Sequence, residues 1–584
     1  MISKRLFLAL AVLVFLSCSG EKKKKQEAVR AGVESSHVLE EQCEEVIGAP
    51  RVERISEHVW AAISYDLANV ALIHTDAGNI IVDTGMSPGR AAEIKNALNK
   101  EAPQGKVKAI IYTHSHIDHI GGTSVWYEEG AQIFASGKFL DHFFKQYGLF
   151  RPAETARGMR QFGQRVSLED LPCSSIGRRP DVLSALESGF MLPTKVFSNS
   201  FTLEIGGLKI ELHEAPGETD DQIFVWIEAD KTLISADNFY WTFPNLYTIR
   251  GTKPRNVNDW IKSLDDMRRM NAEHLLPMHT KPVHGGEEIS QTLTDYRDAI
   301  QWLRDQVVRM ANDGFDIDTI AQTVYLPPHL ADKPYLRELY GQLDWSAKAI
   351  YTNELGWFDG EANDLYTLPT AEIARREVVL MGGVEKLFET ASTALKSADP
   401  LWAIYLLTKL KSSKMLNPEQ EKQVNQIIAQ SYRKLAENIS NTNGRAYLLE
   451  SAIELTKGQT SIGTPKINEA VISAVPLSTI FNIMATRLKP EESLDVQESV
   501  KFLFLDENLQ FVVTIRKGVA EIVEGEPIPG TPEPVATIIS DGVTYRKLAL
   551  GLLNPAAAFA GGKVKIEGSK TGFIKFMSRF RTGL

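Results

Sequence analysis

The stretch at residues 113–122, THSHIDHIGG, carries four potential metal ligands within six residues. It follows an apolar run, VKAII, that predicts a buried strand. His114 and His116 are two residues apart, so an extended chain would place both side chains on the same side. Asp118 and His119 come after the chain turns and can face a second metal ion. Because zinc accepts imidazole and carboxylate ligands, the pattern predicts a metal site at the end of a strand.

Strand-like runs and helical patterns alternate around this stretch. VWAAI, VALIHT and NIIVDTG precede it as predicted strands separated by turn residues, and residues 90–100 have the apolar spacing of a helix. Two hairpin-like β units follow up to about residue 240, and helical patterns predominate after Asn256. Alternating strands and helices indicate an α/β layer arrangement.

Two more regions follow in the C-terminal half. Residues 384–456 carry almost only helical pattern, with paired amphipathic segments, which predicts a small domain of stacked helical hairpins. From about residue 465, strand-like runs such as SVKFLFLD and QFVVTIRKG return together with helical ones. We interpret this last part as a separate α+β domain.

The composition is that of a soluble globular protein, since 43% of the 584 residues are hydrophobic and 24% are charged. At roughly 150 residues per domain, the length suggests about three or four domains. The formal net charge of −10 argues against a nucleic-acid partner, because phosphate binding needs concentrated positive charge. Three cysteines, Cys18, Cys43 and Cys173, predict neither a disulfide framework nor a thiolate zinc cage. Metal chemistry must therefore use His, Asp and Glu.

The first twenty residues, MISKRLFLALAVLVFLSCSG, have the features of an export signal. A basic start with Lys4 and Arg5 precedes an apolar run at residues 6–16, which is shorter than the roughly 20 residues that span a bilayer. Cys18 follows a small residue, as in a bacterial lipoprotein signal, with ordinary secretion as the alternative. We expect a signal peptide at 1–20 and an exported protein of a bacterium, periplasmic or attached to the outer membrane only through a lipidated Cys18.

The HxHxDH arrangement resembles the signature of the metallo-β-lactamase superfamily, and later segments resemble it too. Asp83, in IIVDTG, sits where that superfamily has an aspartate supporting the metal loop. APGETDD, LISADN and PMHT resemble its later ligand loops, with Glu218 where a histidine is common. The resemblance implies two Zn²⁺ ions per subunit. Their ligands would be His114, His116 and Glu218 for one ion, Asp118, His119 and His279 for the other, and Asp237 between them.

The replacement at Glu218 is similar to the type III alkylsulfatases, and YDLANV, NLYTIRG, LGWFDG and VVLMGGVEKLFETA resemble segments of that family. The C-terminal pattern KLALGLLNPAAAFAGGKVKIEG resembles its carrier-like domain. The implied fold is α/β, an αββα metallo-β-lactamase sandwich followed by an all-α dimerisation domain and an α+β domain like sterol carrier protein 2. The predicted domains are a linker at 21–50, the catalytic domain at 51–294, the dimerisation domain at 295–460 and the carrier-like domain at 465–584.

The resemblance implies a dizinc hydrolase that cleaves sulfate esters of aliphatic alcohols and forms a homodimer. Two zinc ions can lower the pKa of a shared water toward about 7, with Asp118 and Asp237 as the catalytic carboxylates. Arg250 is the predicted sulfate contact, because its planar fork matches a tetrahedral oxyanion, and Asn245 could add a neutral donor. The expected substrate is an amphiphilic small-molecule sulfate ester.

Two alternatives stay open on the sequence alone. The family usually has a His-Asn pair where this chain has Trp345 and Ser346, so the substrate could be another ester class, a lactone or a phosphodiester. The other hypothesis is a non-catalytic surface lipoprotein that binds amphiphiles through its C-terminal domain. Release of inorganic sulfate would distinguish the alkylsulfatase hypothesis from both alternatives.

Overall fold

The computed structural model describes residues 34–146, 148–180, 187–459 and 468–581. The predicted signal peptide, the predicted lipidation site Cys18 and the first part of the predicted linker lie outside these residues. The chain divides into two compact units. The larger contains two β-sheets and the helices that follow them, and the smaller contains a third sheet together with the segments Leu140–Arg151 and Phe190–Leu192.

The first sheet has seven strands in the order β1-β2-β3-β4-β5-β6-β7. Their bounds are Arg51–Arg54, Val59–Ile63, Val70–Thr75, Gly78–Val82, Val107–Ile111, Gln132–Ser136 and Lys195–Phe197, numbered β1 to β7. Strands β1 to β4 pair antiparallel and β4 to β7 pair parallel. The hairpin between β3 and β4 requires glycine at Gly78, which has φ +137° and where a Cβ would lie 2.4 Å from the Lys106 carbonyl oxygen.

The second sheet has six strands in the order β13-β12-β11-β10-β9-β8. Their bounds are Ser200–Ile205, Leu208–Glu214, Ile223–Ile227, Thr232–Ala236, His274–Pro277 and Val283–His284, numbered β8 to β13. All neighbours pair antiparallel except β11 and β12, which are parallel. Apolar side chains of the two sheets form one core, including Ile73, Ile80, Ala109 and Phe134 of the first and Ile210, Val225, Ile234 and Leu276 of the second.

Helices occur before, between and after the strands of these two sheets. Their bounds, numbered α1 to α8, are Glu34–Glu41, Pro88–Glu101, Ile117–Ile120, Thr123–Trp126, Phe139–Gln146, Arg151–Gln161, Val257–Arg269 and Gly286–Asn312. Helix α2 begins at the N-cap Ser87 and packs near the first sheet, and α7 and α8 share a core with the second. The predicted αββα sandwich is thus confirmed.

A helical region continues the larger unit. Its helices, numbered α9 to α16, are Ile317–Thr323, Pro328–Ala331, Leu343–Glu354, Thr370–Leu380, Val384–Lys396, Pro400–Ser412, Pro418–Ala436 and Thr442–Lys457. Helix α15 begins with a capping box between Asn417 and Gln420, and α12 to α15 share an apolar core. The prediction of an all-α region is confirmed, although the predicted boundary after residue 294 lies inside α8.

The smaller unit is an α+β arrangement, as predicted. Its sheet has the order β16-β15-β14-β17-β18, with β14 and β17 parallel. The strands β14 to β18 are Gln497–Phe504, Leu509–Arg516, Val519–Glu524, Pro534–Ser540 and Val564–Gly568, and the helices α17 to α21 are Glu469–Ala474, Leu477–Ala485, Gly542–Ala549, Pro555–Ala560 and Lys570–Ser578. Aromatic rings fill its core, with Phe481 stacked on Phe511 and on Tyr545. The likeness to sterol carrier protein 2 stays a prediction.

Three local features differ from the sequence interpretation. Cys43 and Cys173 form a disulfide, a pairing that the cysteine count alone did not predict. Part of the predicted linker is helical, since it contains α1 and a π-helical stretch, Gln42–Ile47. The side-chain amide of Gln42 donates to the Ser175 carbonyl. The strand β12 lies where helical pattern was expected. Within the described residues, no helix is long and apolar enough to cross a membrane.

Candidate metal centre

The loop after β5 is held in shape by the aspartate that follows β4. Asp83 adopts a left-handed conformation with φ 58°, which is uncommon for a residue other than glycine. Its carboxylate accepts the Thr113 N–H at 2.8 Å and the Thr113 hydroxyl at 2.8 Å. It also accepts from His119 Nδ1 at 2.6 Å. This contact leaves His119 Nε2 as the nitrogen available to a metal, as in other carboxylate–histidine–metal arrangements.

The remaining carboxylate and imidazole groups come from the ends of strands in the second sheet. Asp237 follows β11, and His279 lies two residues after the parallel strand β12, so both side chains reach the same edge of the sheet. Residues beside them are strained, with φ 52° at Ala236 and φ 70° at Thr280. His279 Nδ1 donates to the Leu67 carbonyl at 2.8 Å, which directs its Nε2 toward Asp237.

These elements bring all seven sequence-predicted ligands together, and we call this set the metal pocket. Its members fall into two groups whose ligand atoms lie within 4.8 Å of one another: His114, His116, Glu218 and Asp237, and Asp118, His119 and His279. The two groups meet at Asp237, whose Oδ2 lies 3.5 Å, 3.4 Å and 3.1 Å from Nε2 of His114, His119 and His279. Two groups that could each hold a metal ion thus adjoin each other at Asp237.

Unpartnered buried atoms give a second reason, besides the donor types, to expect divalent cations in the metal pocket. Among the described residues, His119 Nε2 and Asp237 Oδ1 are buried atoms without a hydrogen-bond partner. A buried polar atom without a partner is costly, so an additional group is expected to bind there. Four imidazoles and three carboxylates form a donor set that zinc accepts.

The titration behaviour of the metal pocket also follows from burial and charge. Burial, together with neighbouring histidines, holds the pKa values of His114 and His116 well below the usual value, so both stay neutral and can bind a cation. Burial acts the same way on His119 and His279, but nearby carboxylates, Asp237 first, outweigh it and raise their pKa values. The carboxylates of the pocket therefore attract positive charge, which a divalent cation would supply.

Beside the metal pocket lie Asn245, Arg250 and Arg255, which we call the arginine wall. Arg250 Nη2 is 3.3 Å from His116 Nε2, and Arg250 Nη1 donates to the Thr248 hydroxyl at 2.8 Å. Asn245 is 1% exposed, and neither polar atom of its side chain has a hydrogen-bond partner among the described residues. Of the two predicted substrate contacts, Arg250 thus lies beside a metal-pocket residue, and Asn245 is a buried residue of the same segment of the chain.

Sequence reasoning missed Arg255, which connects the arginine wall with the metal pocket. Its Nη1 donates to Glu218 Oε1 at 2.5 Å and to the Asn245 carbonyl at 2.5 Å. Burial raises the pKa of Glu218 to about 7, even though the Arg255 guanidinium opposes that shift. No sequence pattern separates Arg255 from a surface arginine, because its partner lies 37 residues earlier in the chain. Gln161, whose Oε1 accepts the Arg250 backbone N–H at 2.9 Å, was missed for the same reason, because the two residues are 89 positions apart.

Trp345 and Ser346, which stand where a His-Asn pair was expected from the resemblance, lie at the start of α11. Ser346 is fully buried, and the Trp345 ring lies close to Gly444 of α16. The Trp345 ring therefore packs beside α16, within the helical region.

Family models match the chain in three consecutive parts. The metallo-beta-lactamase superfamily model matches residues 65–279, the alkyl sulfatase dimerisation model matches residues 316–458, and the alkyl sulfatase C-terminal model matches residues 465–583. These ranges correspond to the sandwich, the helical region and the α+β unit.

Whole-chain comparisons agree with those matches. The chain is 34% identical over 471 residues to a linear primary-alkylsulfatase from Pseudomonas, covering 78% of this chain and 88% of the relative. It is 25% identical over 515 residues to an (R)-specific secondary-alkylsulfatase from Pseudomonas, covering 86% and 76%. The solved structure of a stereoselective inverting sec-alkylsulfatase from Pseudomonas superposes with a TM-score of 0.81 at 24% identity, covering 94% of this chain and 87% of that one.

Proposed function

The chain belongs to the alkylsulfatase family of the metallo-beta-lactamase superfamily, and we propose that it is an exported dizinc enzyme that hydrolyses sulfate esters of aliphatic alcohols. Membership makes it a metal-dependent hydrolase with sulfatase function. The products of the proposed reaction are the alcohol and inorganic sulfate.

The proposal that the substrate is a sulfate ester rests on the contact between the arginine wall and the metal pocket. A sulfate ester is an anion at the reacting centre, and Arg250 Nη2 lies 3.3 Å from the metal-pocket residue His116. A guanidinium presents a planar pair of donors that matches two oxygens of a tetrahedral anion. A lactone has no such anionic group, so this placement favours an anionic ester.

In this proposal one zinc ion would be held by His114, His116 and Glu218 and the other by Asp118, His119 and His279. Asp237 lies between the two groups. When bound, such ions lower the pKa of water toward about 7 and polarise an ester oxygen. Asp83 orients His119, and the Leu67 carbonyl orients His279, so the chain fixes the directions of the ligands beforehand.

Other residues bind and orient the substrate in this proposal. Arg250 neutralises the sulfate charge, and Asn245 supplies a neutral donor from its unpartnered amide. Thr248, which accepts from Arg250 Nη1, limits the rotation of the guanidinium. Because these side chains are largely or fully buried, the sulfate would exchange water for fixed donors in an environment of low dielectric.

A homodimer is part of the proposal, since a dimerisation model matches the helical region. Large apolar side chains are exposed there, with Tyr366 at 92% and Leu380 at 86%. Exposed apolar groups of this size are typical of surfaces that another chain covers. A second copy of the chain is the proposed partner.

Export is proposed from the N-terminal sequence and is supported by the disulfide between Cys43 and Cys173. Structural disulfides form and persist in oxidising compartments and are rare in the reducing cytosol. The lipidation of Cys18 is proposed from its sequence context alone. Labelling of cells with a lipid precursor, with a Cys18→Ala variant as control, would test that attachment.

The function is tested by a release assay on zinc-loaded protein. Alkyl sulfates, a lactone and a phosphodiester are offered, and inorganic sulfate, ring-opened acid and phosphomonoester are measured separately. We expect sulfate release alone to be fast, and metal analysis to give two zinc ions per subunit. Inert alkyl sulfates together with rapid turnover of either other ester would refute the proposed substrate while leaving the hydrolase assignment in place.

A further inference from the structure

Arg250 forms a hydrogen bond with a residue of helix α6, which is distant from it in sequence. Gln161, the last residue of α6, accepts the Arg250 backbone N–H at 2.9 Å and the Thr248 hydroxyl at 3.0 Å through a single oxygen, Oε1. Thr248 in turn accepts from Arg250 Nη1. Gln161 is 1% exposed and Thr248 is fully buried, so water does not replace these bonds easily. One buried acceptor thus fixes both the backbone and the side chain of the arginine.

Two more residues of α6 face the same arginine. Glu154 Oε1 lies 3.5 Å from Arg250 Nε, and a Cβ at Gly158 would lie 4.0 Å from Arg250 Cδ. The carboxylate attracts the Nε side of the guanidinium, and the glycine gives its methylenes room to lie along the helix. With Nε and the methylenes on the α6 side, Nη2 of Arg250 points toward His116.

Helix α6 is itself fastened to α16, the last helix of the helical region. Arg160 pairs with Glu454 at 2.7 Å. Arg165, just after α6, donates its backbone N–H to Glu450 at 2.8 Å and its Nε at 2.6 Å. Glu450 is 1% exposed, so its carboxylate depends on Arg165 for a charged partner in place of water. Apolar contacts reinforce this junction, between Val166 and Leu171 on one side and Ala446, Leu449 and Ile453 on the other.

We propose that Gln161 is a positioning residue for Arg250, and that α16 contributes to sulfate binding by holding α6 in place. The inference rests on the proposed function, in which Arg250 contacts the sulfate. It gives the helical region a role at the active site besides dimerisation. Disturbing the junction between α6 and α16 weakens sulfate binding and leaves the metal pocket loaded, because none of the contacts described involves a metal ligand other than His116.

The test compares Gln161→Met, Arg250→Met and the double variant in the zinc-loaded full chain. Methionine keeps the length of glutamine and removes the acceptor. We expect Gln161→Met to raise KM for an alkyl sulfate and the inhibition constant of inorganic sulfate by about tenfold, with zinc content unchanged and kcat less affected. The double variant is expected to be no worse than Arg250→Met alone, since a positioning residue has no effect once its arginine is gone.

A second comparison addresses α16 and covers the case in which Gln161→Met does not fold. Glu450→Gln with Glu454→Gln is expected to raise KM by about threefold or more. Glu377→Gln, which removes a 2.7 Å ion pair with Lys409 inside the helical region, is the matched control and is expected to leave KM unchanged.

The outcomes separate this inference from the proposed function. Wild-type KM in both Gln161→Met and the Glu450/Glu454 variant, alongside a raised KM in Arg250→Met, overturns the positioning role alone. Additive effects of Gln161→Met and Arg250→Met overturn it as well. Unchanged KM and unchanged sulfate inhibition in Arg250→Met would instead refute the sulfate contact on which both proposals rest.

Discussion

The metal pocket and the arginine wall adjoin each other but carry opposite charge. Three carboxylates in the pocket favour cations, whereas two guanidinium groups in the wall favour an anion. The two touch at two places, where Arg250 lies near His116 and Arg255 pairs with Glu218. A site built in this way can bind metal and substrate by separate sets of residues, with Glu218 and Arg255 as the link between them.

The two parts also differ in how they are held. The metal pocket is fixed from behind by short contacts to its neighbours in the sandwich, such as Asp83 to His119. Within the arginine wall, Arg250 is fixed by residues of α6 such as Gln161, and α6 is in turn bound to α16 of the helical region. Variants should therefore separate into those that lose metal, those that lose sulfate affinity and those that affect both.

The largest effect is expected from His116→Ala, which removes a proposed zinc ligand beside Arg250. Turnover should fall by more than about a thousandfold, because metal ions contribute several kcal/mol of charge stabilisation to such reactions. Zinc per subunit is measured by mass spectrometry, together with sulfate release. His284→Ala, an exposed histidine of β13, is the control and should behave as the wild type. Near-normal turnover in His116→Ala would contradict the metal assignment.

A smaller effect on both parts is expected from Arg255→Met. Methionine keeps much of the volume but leaves Glu218 without its 2.5 Å partner in a buried position. Zinc affinity should fall about ten- to a hundredfold, as for other groups that orient metal ligands. Competition with a chromophoric chelator measures that affinity, with the exposed Arg269→Met as control. If zinc affinity stays unchanged and only KM rises, Arg255 serves the arginine wall alone.

Asp83→Asn tests whether the metal pocket can be weakened without an effect on the arginine wall. Asparagine tolerates the left-handed backbone at this position and keeps an acceptor, so the loop should retain its shape. The charge that makes His119 a stronger ligand is lost, and zinc affinity should fall by about tenfold. Inhibition by inorganic sulfate, measured at saturating zinc, should be unchanged. Asp76→Asn, on an exposed turn, is the control, and weakened sulfate inhibition in Asp83→Asn would show that the two parts are not separable there.

The sandwich and the ligand set were predictable because their signals are local. Strands such as VWAAI and IFVWI are buried along their whole length, and four ligands lie within six residues. The contacts of the arginine wall had no such signal. Gln161 precedes Arg250 by 89 residues and Glu218 precedes Arg255 by 37, so only the tertiary fold pairs them.

Three misses have a similar explanation. The pairing of Cys43 with Cys173 spans 130 residues, and three cysteines leave the choice of partners open. Strand β12 has four residues, which is too short for a period of two to be distinguished from helical spacing. The helix at the predicted linker is polar along much of its sequence, ESSHVLEE, so it carries little apolar periodicity, and the neighbouring contact of Gln42 with Ser175 joins residues 133 positions apart.

The smallest effect on activity is expected from Cys43→Ser, which cuts the link between the π-helical stretch and the loop at Cys173. The free energy of unfolding should fall by about 2–4 kcal/mol, because the bond closes a long loop, and thermal unfolding with and without reductant measures it. The loop reaches the metal pocket only indirectly, since the Ile176 carbonyl accepts the Thr280 N–H beside His279 at 3.1 Å. We therefore expect zinc content and KM to stay within about twofold of the wild type, because the substitution lies outside the metal pocket and the arginine wall. A loss of zinc in Cys43→Ser would mean that this loop, rather than the sandwich alone, holds the His279 side of the metal pocket.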